Sequence, residues 1–141
     1  MIKEWNINFM CIIESWLQHT GNEQVIASIK PPRFEVNSTH RIGGKGGGIA
    51  FIYQNSFKSV KTNALLAKSL EAASCSFQAD SKTIHITAVY RTPPSKANKS
   101  YPTDFINELQ ELVIDFKTND FLLTGNINFH NEKDAYKNYN H

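Results

Sequence analysis

Cysteine is scarce in this chain. Its 141 residues hold two, Cys11 and Cys75. Both sit inside apolar, strand-like runs, and no Cys-x-x-Cys or Cys/His spacing exists. That excludes a disulfide framework and a thiolate metal site, and leaves buried free thiols in a reducing compartment as the expectation. Long apolar runs are missing too: nothing approaches the roughly 20 residues a spanning helix needs, so no membrane partner is expected. The N-terminus, Met1-Ile2-Lys3-Glu4-Trp5-Asn6, lacks a signal-peptide pattern, which predicts an intracellular protein, nuclear or cytoplasmic. Charge of one sign is also lacking. A net charge of +2 neither demands nor opposes a nucleic-acid partner. No internal repeat is visible. The glycine run from Gly43 to Gly48 is not a P-loop, because no Gly-Lys-Ser/Thr closes it and a strand-like segment follows it where a P-loop needs a helix.

What is present is an ordinary globular composition, 40% hydrophobic and 20% charged. A chain of this length and balance can bury a core, so one domain is expected over 1–141. The polar, aperiodic stretch from about 131 to the end reads as a frayed tail.

Strand signals dominate. Phe9 to Ile13 is a continuous apolar run ending at Glu14, and Ile49 to Tyr53 is another. Ala73, Cys75, Phe77 and Ala79 alternate with polar residues. Asp80-Ser81-Lys82 makes a turn, and Thr83 to Tyr90 returns as a β-branched strand, so the pair predicts a hairpin. Phe121 to Thr124 is the last predicted strand. One helix is predicted: Phe105, Leu109, Leu112, Val113 and Phe116 share a face, with Thr103 as its cap, Lys117 in its last turn and Asn119 as its stop. The segment Gly21 to His40, with Pro31-Pro32 and a polar Asn37-Ser38-Thr39-His40 cluster, reads as irregular. A strand–helix–strand connection fits an α/β layered sandwich.

Three polar clusters follow strands and are candidates for one rim. Glu14 ends the first strand; a carboxylate there is either a cation ligand or an exposed acid. Tyr90-Arg91 ends the hairpin, where phenol and guanidinium side by side suit a phosphate, although an isolated Tyr-Arg pair is more often a packed Tyr beside a surface Arg. Asn126 and Asn128 follow Gly125. Residues two apart on a strand face the same way, so both amides could aim at one site; Asn after Gly is also common turn chemistry. His130 fits a loop. Arg41 and Lys45, with His40, Arg91, Lys96 and Lys99, are loop cations able to meet a nucleic-acid backbone.

Taken in order, these pieces resemble the endonuclease domain of LINE-type (non-LTR) retrotransposons, in the endonuclease/exonuclease/phosphatase superfamily. The matching segments are Ile13-Glu14-Ser15-Trp16-Leu17, Arg41-Ile42-Gly43-Gly44 with Gly46-Gly47-Gly48-Ile49-Ala50, Val89-Tyr90-Arg91-Thr92-Pro93-Pro94-Ser95, Phe105-Ile106-Asn107-Glu108-Leu109, and Leu123-Thr124-Gly125-Asn126-Ile127-Asn128-Phe129-His130. The resemblance implies a four-layer α/β/β/α sandwich of the DNase I type, incomplete at both ends, and Mg²⁺-dependent nicking of DNA that primes reverse transcription. It implies Glu14 as the metal ligand, Tyr90 beside the scissile phosphate, Asn126 in place of the Asp that handles the attacking water, and Asn128 orienting the same group. Arg41, Lys45 and Arg91 would contact nucleic acid.

The chain departs from the family pattern in three places. Gly-Asp-Phe-Asn of the family is Gly125-Asn126-Ile127-Asn128 here, and an amide cannot accept a proton from water at neutral pH. The family's first strand, bearing an Asn near the metal, is not matched by Asn6 or Asn8. Its later strands, with an Asp and an Asp-His pair, have no counterpart before His141. The expectation is a truncated enzyme of weak or absent activity. The alternatives are a non-enzymatic nucleic-acid-binding remnant and an unselected fragment.

Overall fold

A computed structural model describes residues 7–18, 20–41, 46–65, 67–79, 81–93, 102–114 and 120–128. The elements in chain order are β1 (Phe9–Ile13), α1 (Glu23–Ile29), β2 (Phe34–Thr39), β3 (Ile49–Gln54), β4 (Lys58–Leu65), β5 (Glu71–Ala79), β6 (Lys82–Tyr90), α2 (Pro102–Ile114) and β7 (Asp120–Asn126). They form two sheets, ordered β1-β3-β2 and β4-β5-β6-β7. All pairs are antiparallel except β6 with β7, which run parallel. A parallel pair needs a crossover, and α2 lies on the connection that makes it.

The sequence explains the placement of the central strands. β3 is apolar along nearly its whole length and is flanked on both edges, so five of its six residues are buried. β5 and β6 join through a two-residue connection between paired Ala79 and Lys82, which fixes their register. Ile49, Phe51 and Tyr53 of β3 pack against the smaller Ala73, Cys75 and Ala88 of β5 and β6. Large side chains on one sheet thus meet small ones on the other, which keeps the layer between them filled. Phe57 stacks on Phe77 with centroids 4.5 Å apart, and Phe9 leans on Phe51 at 5.9 Å. On the outer side of the second sheet, Phe105, Leu109 and Leu112 of α2 cover Ala72, Val89 and Leu123. The expected face-to-face sheets with a helix outside are present. No described helix is long and apolar enough to cross a membrane.

Several local expectations need correcting. The segment from Gly21 to His40 is not irregular: it holds α1 and β2. α1 is seven residues long with no buried residue, too short to leave an apolar period in the sequence. β2 is an edge strand whose polar residues find partners far away. Asn37 Nδ2 donates to the Tyr53 hydroxyl at 2.9 Å and to Thr62 Oγ1 at 3.1 Å. Strand β4 went unpredicted for the same reason, being mixed in polarity. Thr103 lies within α2, which starts at Pro102, a residue whose fixed φ suits a first helical position. β7 continues past Thr124 to include Gly125 and Asn126. Phe116, Lys117 and Asn119, like the tail from 131, lie outside the described residues.

Candidate active site

Glu14 leaves β1 with φ of 52°, and Trp16 follows with φ of 57°. Left-handed backbone at two non-glycine residues costs about 1–3 kcal/mol each and persists only where surroundings impose it. Here the glycine segment imposes it: Ser15 N–H donates to the Gly48 carbonyl at 3.0 Å and Trp16 N–H to the Gly47 carbonyl at 2.8 Å. Gly47 and Gly48 also hold positive φ, 71° and 84°. A Cβ on Gly48 would come within 2.8 Å of the Thr39 carbonyl oxygen and 3.0 Å of Ser15 Oγ, so both freedom of φ and lack of a side chain are needed.

This turn delivers Glu14, an exposed residue, to the end of the other sheet. The Tyr90 hydroxyl donates to Glu14 Oε1 at 2.6 Å. Tyr90 is 4% exposed. Burial pushes its phenol up to about 12, with the Glu14 hydrogen bond and charge adding to the rise, Arg41 opposing it and Glu71 adding to it. At neutral pH Tyr90 is therefore a neutral donor.

Strand register places two more polar residues beside it. Tyr90 pairs with Glu71 on β5 and with Asn126 on β7. Directly paired residues point to the same face of a sheet. Glu71, Tyr90 and Asn126 thus form a row across three strands, on the face that carries Ala73 and Ala88 toward the first sheet. Glu71 binds that first sheet: its Oε2 accepts Gly48 N–H at 2.7 Å, and its Oε1 pairs with the Arg41 guanidinium. Glycine at 47 permits this, since a Cβ there would collide with Arg41 Nε. A cavity of about 240 Å³ opens beside the pair, lined in part by Thr39, Arg41, Gly48, Lys68, Glu71 and Thr92. Its Lys68-Ser69 wall is fixed to α2 by Glu108, which accepts both backbone N–H groups, at 2.7 and 2.9 Å, and the Ser69 hydroxyl. Burial works against that carboxylate's charge, but these donors and the Lys68 charge hold it below its ordinary value.

Beyond β7 the chain turns. Asn128 has φ of 43°, its N–H donates to Asn126 Oδ1 at 2.9 Å, and its Nδ2 donates to the Arg91 carbonyl at 2.6 Å. Asn126 and Asn128 are therefore a strand end and a turn residue locked together; they do not project as two parallel strand side chains. Asn126 has one side-chain oxygen, which accepts the Asn128 backbone N–H. The other heteroatom is an NH₂, a donor.

The structure brings together Glu14, Tyr90, Asn126 and Asn128, with Arg41 joined to them through Glu71. It places Arg91 differently from a surface cation. Arg91 is 4% exposed with its guanidinium 5.4 Å from the Phe105 ring centroid, and its N–H donates to the Asn126 carbonyl at 2.9 Å. Lys45, Lys96, Lys99 and His130 lie outside the described residues. Glu71 escaped the sequence analysis, yet a signal for it existed: counting back from the hairpin turn puts it opposite Tyr90. Among the described residues, no group of three or more His, Cys, Asp or Glu gathers to hold a metal. A cation at this rim would depend on Glu14, an exposed carboxylate offering hard oxygen. That fits Mg²⁺, which commonly takes one or two carboxylates and keeps several waters.

Three of the solved structures that share the fold illustrate the match. The catalytic domain of human Nocturnin, with bound sulfate, aligns with a TM-score of 0.60 at 14% identity, over 96% of this chain and 56% of that one. Humanized D. rerio TDP2 gives 0.64 at 8%, over 97% and 55%. An endonuclease/exonuclease/phosphatase family protein from Leptotrichia buccalis gives 0.55 at 12%, over 88% and 55%. The chain spans a little over half the length of these structures. No family model and no curated protein matches it. The architecture is thus the α/β/β/α sandwich fold of these three structures.

Proposed function

We propose that this chain is a Mg²⁺-dependent phosphodiesterase domain of the LINE-type endonuclease kind, directed at DNA, with turnover held low by Asn126. The observation that carries the reading is the Tyr90–Glu14 hydrogen bond with Asn126 paired beside Tyr90. Phosphodiester cleavage needs a cation ligand, a donor for the phosphate oxygens and a group to manage water, and these three residues offer them at one rim. Glu14 is the residue that would hold Mg²⁺, and the bound ion supplies Lewis-acid stabilisation of phosphate charge.

The chain's own residues divide the remaining work. Tyr90, kept neutral, has a single hydroxyl hydrogen, which it gives to Glu14 and would turn toward a phosphate oxygen once Glu14 holds a cation. Asn126 orients water but takes no proton from it. Asn128, held by the Arg91 carbonyl, fixes the turn that presents Asn126. Arg41 and Lys45 meet the phosphate backbone. Arg91 braces the rim through Phe105.

The test is relaxation of supercoiled plasmid in Mg²⁺ by the wild-type chain and by Glu14→Ala. Slow nicking that Glu14→Ala abolishes supports the reading; equal nicking by both removes Glu14, and the reading, from consideration. Asn126 favours one second reading, a nucleic-acid-binding domain without turnover. It predicts DNA binding that weakens steeply with salt and no nicking by either protein.

A further inference from the structure

We infer that Trp16 is a stacking platform for an unstacked nucleobase next to the Glu14–Tyr90 pair. The inference rests on the phosphodiesterase reading and deepens it, since it names a residue that grips the substrate's bases and not its phosphates.

The burial pattern after β1 is inverted relative to size. Leu17 is 6% exposed, whereas Trp16, the largest side chain of the segment, is 68% exposed. Tryptophan is on average a highly buried residue, so an indole standing in solvent invites a reason. It is not a loose side chain at a loose position. Its backbone is held in the left-handed region and bonded to the Gly47 carbonyl. Gly46, itself at φ 78°, runs beside the indole: a Cβ there would come within 3.2–3.3 Å of Cζ2, Cε2 and Cη2. A bare glycine backbone thus supports the ring on one side while most of its surface stays open.

Position supplies the ligand. Trp16 is two residues from Glu14, so their Cα atoms are within about 7.6 Å. Bases along one DNA strand stack at about 3.4 Å intervals. The indole therefore stands within reach of a nucleotide near a phosphate held at Glu14 and Tyr90. An aromatic ring at that distance is what proteins use to hold unpaired bases, whatever their identity. A paired, stacked base offers no free face, so the platform selects single-stranded or locally opened nucleic acid.

The experiment uses the full chain carrying Trp5→Phe, which makes Trp16 the sole indole, in EDTA so that nothing is cleaved. The probes are a short single-stranded DNA, its duplex, and an abasic oligomer of equal length. The expected result is saturable quenching of Trp16 fluorescence by the single strand, weaker quenching by the duplex, and none by the abasic oligomer. Trp16→Ala weakens single-strand binding by about five- to 150-fold, the range of aromatic–base stacking, while Trp16→Phe stays within about threefold of wild type. Circular dichroism verifies that each variant is folded. If the single strand binds with steep salt dependence but leaves fluorescence and the Trp16→Ala affinity unchanged, the platform is refuted and the phosphodiesterase reading stands. If no oligomer binds at all, the platform is refuted, and the phosphodiesterase reading is decided separately by Mg²⁺-dependent plasmid nicking.

Discussion

The Tyr90 phenol and the Glu14 carboxylate lie 76 positions apart in sequence and 2.6 Å apart in space. Glu14 follows β1 of one sheet and Tyr90 ends β6 of the other, so this hydrogen bond bridges the sandwich at the rim where the polar residues collect. Burial first, and this hydrogen bond and charge second, keep the phenol from ionising.

That resistance has a stability consequence. The folded-state value of Tyr90 is raised from 10.0 to about 12, so its contribution is complete below pH 10 and is lost as pH climbs through the folded value. Wild type is expected to lose about 2–3 kcal/mol more than Tyr90→Phe between those limits. Burial also raises Tyr53, Cys11 and Cys75, and these terms cancel in the comparison. Urea unfolding of both proteins across alkaline pH measures it; parallel curves would contradict the assignment.

Asn126→Asp keeps the oxygen that accepts Asn128 N–H and replaces the NH₂ donor with an acceptor. Plasmid nicking is expected to rise by about 10²–10⁴, the usual worth of a general base. A wild-type rate equal to that of Asn126→Asp would show that Asn126 is not what limits turnover.

Gly125 has φ of 140°, and a Cβ there would overlap the Val89 carbonyl across the β6–β7 pair. Backbone on backbone cannot yield cheaply. Gly125→Ala is expected to cost about 3–5 kcal/mol, read as a lowered midpoint in thermal unfolding. A change of only a few tenths would mean that the two strands do not approach as described.

The Arg41–Glu71 pair is half-shielded, with side chains 27% and 18% exposed, and Glu71 also holds Gly48 N–H. A double-mutant cycle with Arg41→Ala and Glu71→Gln is expected to give a coupling of about 0.5–3 kcal/mol. Both single variants should also reduce nicking by Asn126→Asp, since the loop bearing Glu14 hangs from Gly48. Additive stability effects would show that the contact is incidental.

The sequence by itself determined the strands that need no help. Phe9 to Ile13, Ile49 to Tyr53 and the Ala73–Tyr90 hairpin carry enough apolar or β-branched pattern to form where pattern says, and the α2 face is set by Phe105, Leu109 and Leu112. Glu14, Tyr90, Asn126 and Asn128 were visible as polar groups at strand ends. Only tertiary structure decided the rest. β2 and α1 lack a strong period of their own; β2 exists because it pairs with β3 along its length, with Asn37 also reaching Tyr53 and Thr62. Arg91 is buried with its guanidinium over Phe105, which comes from α2. Glu71 matters because Gly48 and Arg41 arrive from the other sheet, and Asn126 is a strand residue because Gly125 lets β7 close on Val89. Local propensity acts over a few residues, whereas these placements are fixed by contacts between segments far apart in the chain.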